Sequence, residues 1–139
     1  MADSDFMPIK GWDHIEFYVG NAKQAAHYYA STFGLKPVAY AGLETGVRDR
    51  ASYVLEQGKI RLVFTSALSP DSPIARFAWQ HGDGAKDVAL QVPDAEKAYH
   101  EATARGARSA IEPTVTEDKY GRVKRAAIYT YGDTIHSFI

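Results

Sequence analysis

Residues 12–34 read WDHIEFYVGNAKQAAHYYASTFG and join a strand pattern directly to a helix pattern. Ile15, Phe17 and Val19 alternate with polar residues at the two-residue period of a half-buried strand. Asn21 then offers an N-cap, alanines recur at helical spacing, and a glycine closes the stretch. The stretch therefore predicts a β-strand followed at once by an amphipathic α-helix.

The same pattern returns later in the chain, which indicates an internal duplication. A shift of 73 residues superposes the alternating apolar residues and places Asn21 on Asp94. Three strand-like runs follow each predicted helix, at 36–41, 52–56 and 60–66 in the first copy and at 108–112, 122–131 and 134–139 in the second. We therefore read the 139 residues as one domain of two βαβββ repeats, about 11–66 and 84–139, joined by a linker over 67–83.

This element order predicts an α+β fold in which the two tandem units form curved mixed sheets around a concavity, with the helices outside. In the linker, Ser72 followed by Pro73 predicts a short helix over 74–80. Polar residues of the first strands lie opposite the helix-packing positions, and a histidine lies in the last strand. We expect these residues to face the concavity: His14, Glu16, Asp87, Gln91 and His136.

Composition excludes several classes of function. Sixteen basic and 17 acidic residues give a net charge of -1, whereas nucleic acids and anionic membranes need a concentrated positive field. No apolar run approaches the roughly twenty residues that cross a bilayer, and residues 1–10 lack a signal-peptide pattern. We expect a cytoplasmic protein with no nucleic-acid or membrane partner. Because the chain has no cysteine, any metal would be held by His, Asp or Glu.

Several short motifs connect this chain to a known family. They are GNAKQAA at 20–26 with the following Tyr28-Tyr29, AYAGLETG at 39–46, HGDG at 81–84 with Lys86-Asp87, and TYGDT at 130–134 with His136. The βαβββ duplication resembles the vicinal oxygen chelate superfamily, which includes glyoxalase I, extradiol dioxygenases and bleomycin-resistance proteins. The ordered motifs resemble the 4-hydroxyphenylpyruvate dioxygenase family over nearly the entire chain.

The resemblance implies a non-haem iron dioxygenase that converts 4-hydroxyphenylpyruvate and O₂ to homogentisate and CO₂ in tyrosine catabolism. In that family a larger C-terminal domain holds Fe(II) with two His and one Glu, a ligand set suited to oxygen activation. This chain would be the N-terminal domain, with the catalytic domain absent, no catalytic residue, no metal and no turnover of its own. Its partners would be its own C-terminal domain and further copies in a homo-oligomer. The related 4-hydroxymandelate synthase uses the same substrate and iron, so its N-terminal half is an alternative.

A metal site within this chain is a weaker alternative. The superfamily places its ligands on the first and last strands of each unit, so His14, Asp87 and His136 could together hold Fe(II), Mn(II) or Zn(II). The last strand lacks the expected carboxylate, and we favour hydrogen bonding by His14 and Asp87 between the units. Two other readings stay open: a stand-alone module that binds a small aromatic ligand, and a free-standing metalloenzyme that uses His14.

Overall fold

A computed structural model describes residues 4–139, and its elements follow the duplicated order. The first copy consists of β1 (Gly11–Tyr18), α1 (Ala22–Phe33), β2 (Lys36–Ala41), β3 (Arg50–Gln57) and β4 (Ile60–Ala67), with a 3-10 turn at Leu43–Thr45. After α2 (Pro73–His81), the second copy consists of β5 (Gly84–Gln91), α3 (Ala95–Ala104), β6 (Ser109–Asp118), β7 (Gly121–Tyr129) and β8 (Ile135–Phe138). The prediction of two tandem βαβββ units is confirmed.

The internal contacts divide the described chain into two units. The first unit comprises residues 14–86, and the second comprises residues 87–139 together with residues 4–13. The N-terminal residues therefore pack with the second unit, although the sequence places them beside the first. The repeat boundaries at 11–66 and 84–139 stay a prediction.

The first unit carries its strands in the order β2-β3-β4-β1, with β1 parallel to β4 and the other pairs antiparallel. One face packs against α1 and buries a core of Val19, Ala22, Ala26, Leu35, Leu55 and Phe64. The Phe64 ring stacks between Phe17 at 5.5 Å and Tyr29 at 4.8 Å. Burying a phenylalanine of this kind contributes about 2 kcal/mol, so this aromatic stack anchors α1 to the sheet.

The second unit repeats this arrangement with smaller side chains. Its strand order is β5-β8-β7-β6, with β5 parallel to β8 and the other pairs antiparallel. The core beneath α3 comprises Leu90, Val92, Ala95, Ala98, Tyr99, Ala102, Ala126 and Phe138. The alanines let α3 approach the sheet closely, and the Tyr99 hydroxyl donates to Ser109 Oγ at 2.7 Å.

Residues 4–13 form an N-terminal arm on the second unit. The Lys10 amide donates to the Gln91 carbonyl at 2.8 Å, and Met7 packs against the core beneath α3. The Arg105 guanidinium lies 3.5 Å from the centre of the Phe6 ring, which is a cation–π contact. Sequence patterns gave this segment no structural role, because the contacts that hold it on the second unit are with distant residues.

Local capping chemistry explains where the three helices begin. The Asn21 side chain accepts from the Gln24 amide, and the Asp94 side chain accepts from the Lys97 amide. Ser72 caps α2 with Pro73 directly after it, as predicted. The expected caps are confirmed. Within residues 4–139, every helix is too short or too polar to cross a bilayer.

The sixth strand departs from its prediction. It runs over Ser109–Asp118 instead of ending at residue 112, and it passes through Pro113. The β6–β7 register shifts twice between Ser109 and Thr114, which accommodates a residue that has no N–H to donate. A similar shift lies between Pro37 and Ala39 on β2, the outermost strand of the first unit. Near the C-terminus, β7 and β8 are shorter than the predicted runs.

Candidate polar sites on the two sheets

A row of polar side chains crosses three strands of the first unit. Thr65 Oγ1 donates to Glu16 Oε2 at 2.7 Å, and Ser52 Oγ lies 2.7 Å from the same threonine oxygen. Because the threonine hydrogen is used on the carboxylate, the shared hydrogen bond requires Ser52 to donate to Thr65. Thr65 is fully buried, whereas Glu16 and Ser52 are half-buried. We call these three residues the first polar row; strand alternation places it opposite the face that packs against α1.

Charged and aromatic groups lie near the first polar row. The Arg50 guanidinium pairs with Asp49 at 2.9 Å, which raises the pKa of Arg50, and it also interacts electrostatically with Tyr18 and Glu16. The Tyr18 ring meets Phe77 edge-on at 5.5 Å. Arg50 therefore contributes a positive potential near Glu16 while its hydrogen bonds go to another carboxylate.

The second unit contains a similar row on its strands β5, β8 and β7, formed by Asp87, Ser137 and Arg125, which we call the second polar row. Asp87 is fully buried, and its Oδ1 accepts from the Ser137 amide at 2.9 Å. Asp87 Oδ2 accepts from Ser137 Oγ at 2.5 Å and from Arg125 Nη2 at 2.9 Å. Arg125 Nε also donates to Ser137 Oγ at 2.9 Å. A buried carboxylate is tolerated here because hydrogen bonds and a guanidinium compensate it.

Sequence reasoning singled out Glu16 and Asp87 but missed their partners in the two rows. Those partners are Ser52, Thr65, Arg125 and Ser137. Two signals in the sequence pointed to them. Thr65 and Ser137 are polar residues next to a phenylalanine in their strands, and the 73-residue shift places Ser52 on Arg125.

The remaining predicted candidates have different surroundings. His14 lies half-buried on β1. Gln91 is exposed at the end of β5. His136 is half-buried on β8 with Nδ1 2.8 Å from the Val88 carbonyl. Because a carbonyl only accepts, Nδ1 donates the hydrogen in this bond. That these residues serve a ligand stays a prediction.

The described residues do not fit an Fe(II) site. No group of three or more His, Asp and Glu side chains within residues 4–139 assembles in a metal-binding arrangement. Of the ligand set considered from sequence, Asp87 already uses both carboxylate oxygens within its own unit, and His136 uses Nδ1 on a backbone carbonyl. We therefore derive no chemical step through a metal in this chain.

The family-like motif at 39–46 forms a local structure around a tyrosine. The Tyr40 hydroxyl donates to Glu44 Oε2 at 2.5 Å, which raises the pKa of Tyr40 to about 12 and lowers the pKa of Glu44. A Cβ on Gly42 would lie 2.0 Å from the Tyr40 hydroxyl oxygen. Glycine at position 42 is therefore required for this tyrosine to reach its carboxylate partner.

The motif at 81–84 also has a structural role. Asp83 Oδ1 accepts from the Gly20 amide at 2.9 Å and so ties the end of α2 to the loop before α1. Gly82 lies in the turn from α2 into β5 with a positive φ, and Gly84 is the first residue of β5. The motif therefore links two loops of the first unit, and its position between a helix and a strand is not that of a phosphate-binding glycine loop.

Comparisons with known proteins identify the family. A family described as "Hydroxyphenylpyruvate dioxygenase, HPPD, N-terminal" matches residues 4–139. The 4-hydroxyphenylpyruvate dioxygenase of Danio rerio is 49% identical over 91% of this chain and 32% of its own length. That of Yarrowia lipolytica is 45% identical over 94% of this chain and 34% of its own length. The chain thus spans about a third of these curated relatives.

Solved structures agree with this assignment. A mutant of 4-hydroxymandelate synthase from Streptomyces coelicolor superposes with a TM-score of 0.89 at 33% identity, covering 96% of this chain and 39% of that one. Methylmalonyl-CoA epimerase from Mycobacterium tuberculosis superposes with a TM-score of 0.76 at 18% identity, covering 99% of this chain and 91% of its own, which shows a shared fold alone. The sequence match, the duplicated βαβββ order and these superpositions together show that the chain belongs to the hydroxyphenylpyruvate dioxygenase N-terminal family of the vicinal oxygen chelate fold.

Proposed function

We propose that this chain is the metal-free N-terminal domain of a non-haem Fe(II) 4-hydroxyphenylpyruvate dioxygenase. The observation that carries the proposal is its 40–49% identity to dioxygenases of that name, over 91% or more of the chain, together with the N-terminal family match. The whole protein would convert 4-hydroxyphenylpyruvate and O₂ to homogentisate and CO₂ in cytoplasmic tyrosine catabolism. The C-terminal domain would hold Fe(II), which supplies oxygen activation when bound there.

The role we propose for this domain is structural. In the second polar row, Asp87, Ser137 and Arg125 bond to one another and join β5, β8 and β7. Such a closed set of donors and acceptors favours a fixed scaffold over a group that moves a proton. The nearly fully exposed rings of Trp79 (86%) and Tyr131 (82%) are candidates for cover by the C-terminal domain or by another subunit.

A domain exchange tests the proposal. In a chimera, this chain replaces the N-terminal third of the Danio rerio dioxygenase, its 49% identical relative. We expect 4-hydroxyphenylpyruvate-dependent oxygen uptake with homogentisate as the product. As a matched control, the Mycobacterium tuberculosis epimerase in the same place supplies the fold at only 18% identity and should give no uptake.

The chain by itself provides the second half of this test. With Fe(II), substrate and oxygen, the 139-residue chain should consume no oxygen and form no homogentisate. Turnover by the chain alone would contradict a metal-free domain. A folded but inactive chimera would contradict its place in the dioxygenase.

One observation favours a second candidate, the N-terminal half of a 4-hydroxymandelate synthase. A protein of that name superposes on 96% of this chain with a TM-score of 0.89, although its identity is 33%. The two candidates differ in product, since one yields homogentisate and the other 4-hydroxymandelate. Product analysis of the natural full-length protein distinguishes them, and 4-hydroxymandelate as the main product would reject our first proposal.

A further inference from the structure

The two polar rows differ in the source of their positive charge. In the second row, the Arg125 guanidinium bridges Asp87 Oδ2 and Ser137 Oγ, with both contacts at 2.9 Å. These two oxygens lie 2.5 Å apart. The second row therefore carries its own cation on a carboxylate and hydroxyl pair.

The first polar row also pairs a carboxylate with a hydroxyl group, but no guanidinium is bonded to that pair. Glu16 Oε2 and Thr65 Oγ1 lie 2.7 Å apart on the strands that correspond to those of Asp87 and Ser137. The 73-residue shift places the neutral Ser52 on Arg125, and it places His14, two residues before Glu16, on Asp87. Within residues 4–139, Glu16 takes part in no ion pair.

The chemistry of Glu16 favours a cationic partner. An ionised carboxylate accepts about four hydrogen bonds, and Thr65 supplies one of them. Because Glu16 is half-buried, charge-assisted N–H bonds to it are stronger than those formed at an open surface. Arg50 raises the local potential but donates its hydrogen bonds to Asp49.

We propose that the Glu16 carboxylate of the first polar row binds the guanidinium or ammonium group of a ligand. The ligand's N–H groups would donate to the half-buried Glu16 carboxylate, which is oriented by a hydrogen bond from the buried Thr65 hydroxyl oxygen. Ser52, which donates to Thr65, holds that oxygen in place. The first unit would thus accept from outside the group that the second unit contains.

The test is an NMR titration of the 139-residue chain with methylguanidinium and, separately, methylammonium. Tetramethylammonium at equal ionic strength is the control because it has the charge without N–H donors. We expect saturable shifts in β1, β3 and β4 for the two donor cations. Glu16→Gln keeps the shape but removes the charge, and should weaken binding by about tenfold or more.

A reciprocal pair of variants follows from the duplication. Ser52→Arg gives the first row an internal guanidinium and should abolish the response while the chain stays folded. If Arg125→Ser is folded, methylguanidinium should shift signals in β5, β7 and β8. If it is unfolded, addition of methylguanidinium should restore its folding. Equal shifts with tetramethylammonium, or full affinity in Glu16→Gln, would overturn the proposal, and neither result bears on the dioxygenase assignment.

The dioxygenase chimera distinguishes two sources of the cationic group. If the ligand is a free amine or guanidinium compound, the chimera responds to methylguanidinium as the chain does. If a lysine or arginine of the rest of the protein already occupies the first polar row, the chimera does not respond to methylguanidinium. The chimeras with Glu16 and with Glu16→Gln then give the same titration result.

Discussion

The two units share an element order but are stabilised by different interactions. In the first unit, stacked rings of Phe17, Phe64 and Tyr29 join the sheet to α1, and the polar row on the other face is neutral except for its carboxylate. In the second unit, the core is rich in alanine and an ion pair closes the polar row. The comparison shows that the two units share the strand alternation and helix caps that specify the order of their elements. The side chains that pack the core and form the polar row differ between the units.

The largest expected effect comes from removing the internal cation. Arg125→Met leaves the Asp87 carboxylate buried without its partner, and should lower the free energy of unfolding by about 3 kcal/mol in urea denaturation at neutral pH. Arg50→Met is the matched control in the first unit, because its carboxylate partner Asp49 is exposed, whereas Asp87 is buried. Equal losses in the two variants would remove the contrast between the units.

The N-terminal arm should stabilise one unit selectively. Deleting residues 1–9 removes the Met7 packing and the Phe6–Arg105 contact, and should cost about 1 to 2 kcal/mol. Hydrogen exchange is expected to accelerate in α3 and to stay unchanged in α1. Equal acceleration in both helices would show that the arm acts on the whole chain, against its assignment to the second unit.

The two helix caps should differ in their response to pH. Asn21→Ala should cost about 1 kcal/mol at both neutral and acidic pH, because an amide does not titrate. The Lys97 amide lowers the pKa of Asp94, so this carboxylate stabilises the fold above its ordinary pKa and loses that effect as pH falls through the lowered value. Denaturation of Asp94→Ala should therefore show a loss at neutral pH that shrinks in acid. A loss that stays constant would mean that the cap works without its charge.

The smallest effect concerns Tyr40, for which the second copy has Pro113 at the corresponding position. The hydrogen bond to Glu44 raises the pKa of Tyr40 to about 12, so its contribution to stability is present below the ordinary value of 10.0 and is lost as pH rises through the raised value. In Glu44→Gln, ultraviolet titration should show one tyrosine moving back toward 10.0, identified by its absence in Tyr40→Phe. Gly42→Ala should produce the same movement by displacing the ring.

Local signals in the sequence were sufficient for most of the fold. The starts of the three helices could be predicted, because a helix cap depends on residues within a few positions. The capping residues are Asn21, Asp94 and Ser72, the last followed by Pro73. The continuation of β6 through Pro113 was missed, since a bulge depends on how the neighbouring strand pairs.

The candidate sites were less accessible from the sequence. Glu16 and Asp87 were found because each alternates with apolar residues along its own strand, β1 for Glu16 and β5 for Asp87. Their partners were missed, since a hydrogen bond between strands depends on register, which one strand alone does not specify. The arm over residues 4–13 was missed for a similar reason, as its partners lie some eighty to a hundred residues away, at Gln91 and Arg105.

The outermost strands of the two units carry a shared consequence for self-assembly. Both β2 and β6 contain a proline, at positions 37 and 113, and both shift register beside it. A proline offers no amide to an incoming strand, and a bulge bends the ladder away from it. The edges of the sheet at β2 and β6 are therefore poor templates for amyloid-like growth.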